Sequence, residues 1–93
     1  MPIEEIQAQL QAVLRKFPAV FDAVDDGTIG ELGSFAAPAA AQGMKNGSQL
    51  VENLVKVLKS RKAGEANDES VSLRFTALDF YLKNLQSGST EDL

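Results

Sequence analysis

The sequence predicts an all-α fold, a small helical bundle, and three observations carry that expectation. Apolar residues recur at spacings of three and four near both ends of the chain, and Gly, Pro, Asp and Asn punctuate those runs. No stretch alternates apolar with polar residues as a half-buried strand would. The expectation is three main helices, the first kinked or broken at Pro18, with short helical pieces in a middle segment rich in Ala and Gly.

The first stripe is Ile3, Ile6, Leu10, Val13, Phe17, Val20 and Val24, widened by Leu14 and Phe21. Spacings of three and four keep these side chains on one side of a helix, and the added width suits a globular core better than a narrow two-residue seam. Pro18 costs about 3 kcal/mol in a helix interior and almost nothing at the first position of a new helix. A kink or break at Phe17 and Pro18 follows, with the apolar face in phase across it. Asp25-Asp26-Gly27 reads as the end of this element, because Asp favours turns and Gly adopts helix-terminating conformations.

From Thr28 to Gly47 the side chains are mostly small, and short helical pieces are expected at 30–35 and 36–44. Such a segment either packs as a connector or serves as a docking arm. Ser48 reads as an N-cap for a helix running to about Arg61, with Leu50, Val51, Leu54, Val55 and Leu58 on its apolar face. Lys56, Lys59, Arg61 and Lys62 cluster near its end, where cations complement the helix dipole. After a loop at 63–66, Asn67 or Asp68 caps the last helix, whose stripe is Val71, Phe75, Leu78, Leu82 and Leu85. Leu73, Ala77, Phe80 and Tyr81 extend apolar character around its circumference. Residues 1–86 are expected to form one helical domain, and residues 87–93 a flexible polar tail.

A chain of 93 residues has room for one core. It contains no Cys and no His, which removes disulfides, thiolate metal sites and the commonest general base. Neither enzymatic activity nor a cofactor is expected. The N-terminus lacks a signal-peptide pattern and no apolar run approaches bilayer length, so a cytoplasmic protein without membrane contact is expected. Nine basic against thirteen acidic residues, a net charge of −4, disfavour a phosphate-neutralising surface. The basic cluster at 56–62 reads as a solvated helix end, and nucleic acid is not the expected partner.

The segment from Phe21 to Ile29 resembles the first part of an EF-hand calcium loop. Asp22, Asp26, Gly27 and Ile29 fall on positions 1, 5, 6 and 8 of that pattern. Val24 and Gly33 fall on positions 3 and 12, where the family places oxygen ligands, so the match is partial and no metal ligand is assigned. The adjacent carboxylates Glu4 with Glu5, Asp25 with Asp26, and Asp68 with Glu69 diverge by about 100° on a helix and do not converge on one point.

The function expected is therefore a non-enzymatic protein–protein interaction module, an adaptor, chaperone or regulator. Its partner is another protein or a second copy, engaged in the latter case through the stripe from Ile3 to Val24. Phe17, Phe21, Phe80 and Tyr81 are the candidate partner-binding residues. The alternatives are a structural component of a larger assembly, such as a virion or secretion apparatus, and a degenerate EF-hand-like, metal-responsive protein.

Overall fold

A computed structural model describes residues 2–17 and 24–84. They form α1 (Ile3–Arg15), α2 (Asp26–Gly33), α3 (Ala36–Ala41), α4 (Lys45–Lys62) and α5 (Asp68–Asn84), with no strand among the described residues. The all-helical expectation holds. Pro18, Val20, Phe21, Asp22, Leu85 and the tail expected at 87–93 lie outside the described residues.

The core runs through every helix. Ile6, Leu10, Val13 and Leu14 of α1 meet Ile29 and Leu32 of α2, Ala39 of α3, Val51, Leu54 and Leu58 of α4, and Val71, Leu78 and Leu82 of α5. Val24, Phe35 and Met44, at the junctions between helices, are buried with them. No buried polar or charged residue interrupts this core among the described residues. Desolvation of apolar surface is therefore the main driving force, at roughly 25 cal/mol per Å² buried. Of the stripe from Ile3 to Val24 proposed above for self-association, Ile6, Leu10 and Val13 on α1 and Val24 before α2 are buried inside the monomer.

The Ala/Gly-rich segment is packed, and it begins as a helix where the sequence suggested an end. Asp25, in extended conformation, is the N-cap of α2, its carboxylate accepting from the Thr28 backbone N–H at 2.7 Å. An Asp before a helical run satisfies an orphan N–H as readily as it forms a turn, so the same residues suit either role. Both short helices lie against α4. Together with Phe35 and Met44 they supply apolar bulk that the small side chains around them lack.

Two glycines close the C-termini of α3 and α4 in the same way. Gly43 has φ +84° and Gly64 φ +81°, a region that only glycine enters without strain. Around Gly43, Gly43 N–H donates to Ala40 O at 3.1 Å and Met44 N–H to Ala39 O at 2.9 Å. Around Gly64, Gly64 N–H donates to Arg61 O at 3.1 Å and Glu65 N–H to Ser60 O at 2.8 Å. Both are Schellman motifs, which satisfy the last carbonyls of a helix and reverse the chain. In the first, the following Met44 enters the core with no exposed surface.

Ser48 does not cap α4. That helix starts at Lys45 after Met44, and Ser48 sits within it, its hydroxyl donating to Ala36 O of α3 at 2.8 Å. Asn67 does cap α5, accepting from the Ser70 N–H at 2.9 Å. A further tie between distant elements is Gln7 of α1, whose side-chain amide donates to Leu82 O near the end of α5 at 2.6 Å.

Candidate interaction surface

Helix α5 carries an apolar side outside the described core. Its buried residues Val71, Leu78 and Leu82 share one face, with Phe75 packed beside them. At about 100° per residue, Leu73 and Phe80 point roughly 160° to 180° away from that face. They are 65 % and 68 % exposed, large apolar side chains left in water directly opposite the core. Seven residues apart, they lie two turns from each other on one line, with Ala77 between them. The rim of that line is polar: Glu69, Ser70, Thr76, Lys83 and Asn84. A large apolar pair ringed by polar groups is a candidate recognition surface, in contrast to an isolated exposed leucine.

The other aromatic candidates go elsewhere. Phe17 is half-buried against the core, its ring centroid 5.3 Å from that of Phe75 and tilted by 51°, a favourable aromatic geometry that joins the end of α1 to α5. Tyr81 is half-buried and lies over α4 at Gly47. Phe21 lies outside the described residues. Of the four aromatic residues that the sequence singled out, Phe80 is therefore the one described on the open side of α5.

The charged clusters are tied to neighbouring elements. Arg61 Nε lies 2.7 Å from Asp68, bridging the α4–α5 turn. Lys62 Nζ donates to Val24 O at 3.0 Å and to Asp26 at 3.1 Å, which anchors the start of α2 to the end of α4. Lys16 pairs with Glu31 at 3.2 Å and Lys83 with Asp79 at 2.9 Å. These pairs are largely exposed, and each contributes at most a fraction of a kcal/mol to about 1 kcal/mol. The basic cluster on α4 thus acts in part as a set of clamps between helices.

Part of the calcium-loop resemblance falls in a helix, and Asp22, its position 1, lies outside the described residues. Asp26, Gly27 and Ile29, its positions 5, 6 and 8, lie within α2, and Asp25 caps that helix. An EF-hand needs these residues in an open loop that wraps the ion, supplying a backbone carbonyl from position 7. Here position 7 is Thr28, inside a helix. Among the described residues no group of three or more acidic side chains gathers as a metal ion would require. The Thr28 backbone N–H, and next its hydroxyl, hold the Asp25 carboxyl below its ordinary value of 3.8. Slight burial opposes that shift and Lys62 adds to it.

No known protein-family model, curated protein or solved structure matches this chain. The surface must be read from its own chemistry. Two shallow grooves flank the bundle, one lined by Gln11, Leu14, Arg15, Phe75, Asp79 and Lys83, the other by Gly33, Ala36, Glu52, Val55 and Lys56. Neither brings a nucleophile to a base. In the first, the carboxylate and ammonium are already paired with each other. Among the described residues, no helix is long and apolar enough to cross a membrane.

Leu73 is the functional candidate that sequence reasoning passed over. Its signal was its spacing of seven from Phe80, a second apolar line on a helix whose first line, through Val71, Leu78 and Leu82, already accounts for the core.

Proposed function

We propose that this chain is a non-enzymatic protein–protein interaction module whose docking surface is the outer face of α5. The observation that carries the reading is the exposure of Leu73 and Phe80, 65 % and 68 %, on the side of α5 opposite its buried residues. Covering each such side chain would release about 1.5 to 3 kcal/mol before the cost of association is subtracted. The rest of the molecule is the scaffold: a small bundle of three main helices, α1, α4 and α5, braced by α2 and α3. The absence of Cys fits a reducing compartment, and the cytoplasm is the proposed location.

The test compares the intact chain with a Leu73→Ser/Phe80→Ser variant as bait in a pull-down or proximity-labelling experiment. The variant is expected to lose the captured proteins while keeping its thermal melting curve. Identical capture by both baits would remove the outer face of α5 from the interaction.

A further inference from the structure

The outer face of α5 is close to its own mirror in reverse. Along the helix the exposed line runs Glu69, Leu73, Phe80, with Thr76 and Ala77 at its centre and Lys83 and Asn84 at its end. At about 100° per residue, Glu69, Thr76 and Lys83 flank one side of the Leu73–Phe80 line, and Ser70, Ala77 and Asn84 flank the other. We infer that the occupant of this face is a second copy of the same chain, docked antiparallel through α5 about a two-fold axis between Thr76 and Ala77. This inference rests on the interaction reading above and specifies its partner.

A two-fold axis perpendicular to a helix reverses its direction and keeps each flank on its own side, so every contact occurs twice. Leu73 of each copy then meets Phe80 of the other. At 1.5 Å per residue, Glu69 sits about 11 Å from the axis and Lys83 of the second copy about 10 Å from it, on the same flank. An acid therefore lies beside a base at both ends of the contact. Ser70 meets Asn84 on the opposite flank in the same manner, and the small Thr76 and Ala77 at the crossing let the backbones approach.

Charge separates this arrangement from the others. A parallel pairing, about an axis along the helix, exchanges the flanks and sets Glu69 and Lys83 against the uncharged flank of Ser70, Ala77 and Asn84, so no acid meets a base. A partner with a uniformly acidic or uniformly basic surface suits one end of the face and opposes the other. Reversed, the face satisfies itself. Lys83 pairs with the Asp79 carboxylate one turn earlier at 2.9 Å, yet its side chain is 68 % exposed and so open to the partner's carboxylate. The apolar centre is smaller than the roughly 800 Å² per partner buried in stable complexes, so the dimer is weak, with a dissociation constant on the order of tens of micromolar or higher.

Sedimentation of the full chain from about 10 μM to about 1 mM, a range that spans this affinity, is expected to show a monomer–dimer equilibrium. Phe80→Ser is expected to raise the dissociation constant more than tenfold. Glu69→Lys and Lys83→Glu each weaken the dimer, and the double exchange restores it. The chain contains no Cys, so Thr76→Cys or Ala77→Cys introduces one thiol at the axis and should give a disulfide dimer under mild oxidation. Lys59→Cys on α4 should not. A dimer indifferent to Phe80→Ser and to the charge exchange overturns the arrangement. A strict monomer overturns the second copy as occupant, and the pull-down then separates the two readings. Capture of another protein that depends on Phe80 keeps the interaction surface, whereas absence of such capture removes both.

Discussion

The ring of Tyr81 occupies the space where a Cβ on Gly47 would stand: a Cβ built there lies 2.8 Å from Tyr81 Cε2 and 3.0 Å from its hydroxyl oxygen. This approach lets α5 lie close on α4 at the end of the helix pair opposite the turn that joins them. Gly in a helix interior is less favourable than Ala by about 1 kcal/mol, so its presence at position 47 reflects packing. Two changes should therefore couple. In a Tyr81→Ala background, Gly47→Ala is expected to stabilise by about 0.5 to 1 kcal/mol, the helix-propensity gain alone. With Tyr81 present the ring must shift and that gain is lost, giving a coupling of at least about 0.5 kcal/mol in a double-mutant cycle followed by denaturant unfolding. Additivity of the two changes would show that the ring moves freely.

The same Gly→Ala substitution should have opposite signs at two other positions. Gly64 has φ +81°, and although nothing lies within 4 Å of a Cβ built there, an L side chain is strained in that conformation. Gly64→Ala is expected to cost about 1 to 2 kcal/mol and to loosen the α4–α5 reversal. Gly30 sits inside α2 with no atom within 4 Å of its built Cβ. Gly30→Ala is expected to stabilise by about 0.5 to 1 kcal/mol. Thermal melts of the two single variants decide the matter, and a shift of the same sign in both would contradict the backbone assignment.

Asp25 gives the fold a pH dependence of predictable sign. Its folded-state carboxyl titrates below its ordinary value of 3.8 because Thr28 donates to the charged form through its backbone N–H and its hydroxyl, with Lys62 adding attraction. A carboxyl with a depressed folded pKa contributes stability that is fully present above the unfolded value and is lost as pH falls through the folded value. Asp25→Asn retains an acceptor for the cap and removes the titration. The loss of stability between neutral pH and about pH 3 should accordingly be smaller for Asp25→Asn than for the parent chain, measured by urea unfolding at each pH. Equal losses would mean that Thr28 does not hold the charged form.

How far the sequence foretold this depended on range. The all-helical class and the buried stripes of α1 and α5 followed from spacing, a local property that packing reinforces: Ile6, Leu10, Val13, Val71, Leu78 and Leu82 are all buried. The errors fell where a residue had two local roles and a distant contact chose between them. Asp25 suits a turn or an N-cap, and the burial of Ile29 and Leu32 in the helix it starts decides for the cap. Ser48 suits an N-cap as well, but the helix begins at Lys45 because Gly47 packs beneath Tyr81 and the Ser48 hydroxyl reaches Ala36. The opposed faces of α5 were readable as two apolar lines, whereas which line points inward depends on the positions of α1 and α4.

That last choice is testable by stability alone, independently of any partner. Leu78 has no exposed surface, whereas Leu73 on the same helix is 65 % exposed and Phe80 68 %. Removing buried methylenes loses both their transfer free energy and their packing, so Leu78→Ala should cost about 2 to 5 kcal/mol. Leu73→Ser and Phe80→Ser remove little buried area and exchange an apolar surface for a polar one, so each should change stability by no more than about 0.5 kcal/mol. The measurement is denaturant unfolding at low micromolar protein, below the range in which dimerisation contributes. A cost at Phe80 matching that at Leu78 would mean that Phe80 is covered within the monomer, and the outer face of α5 would no longer be available to any partner.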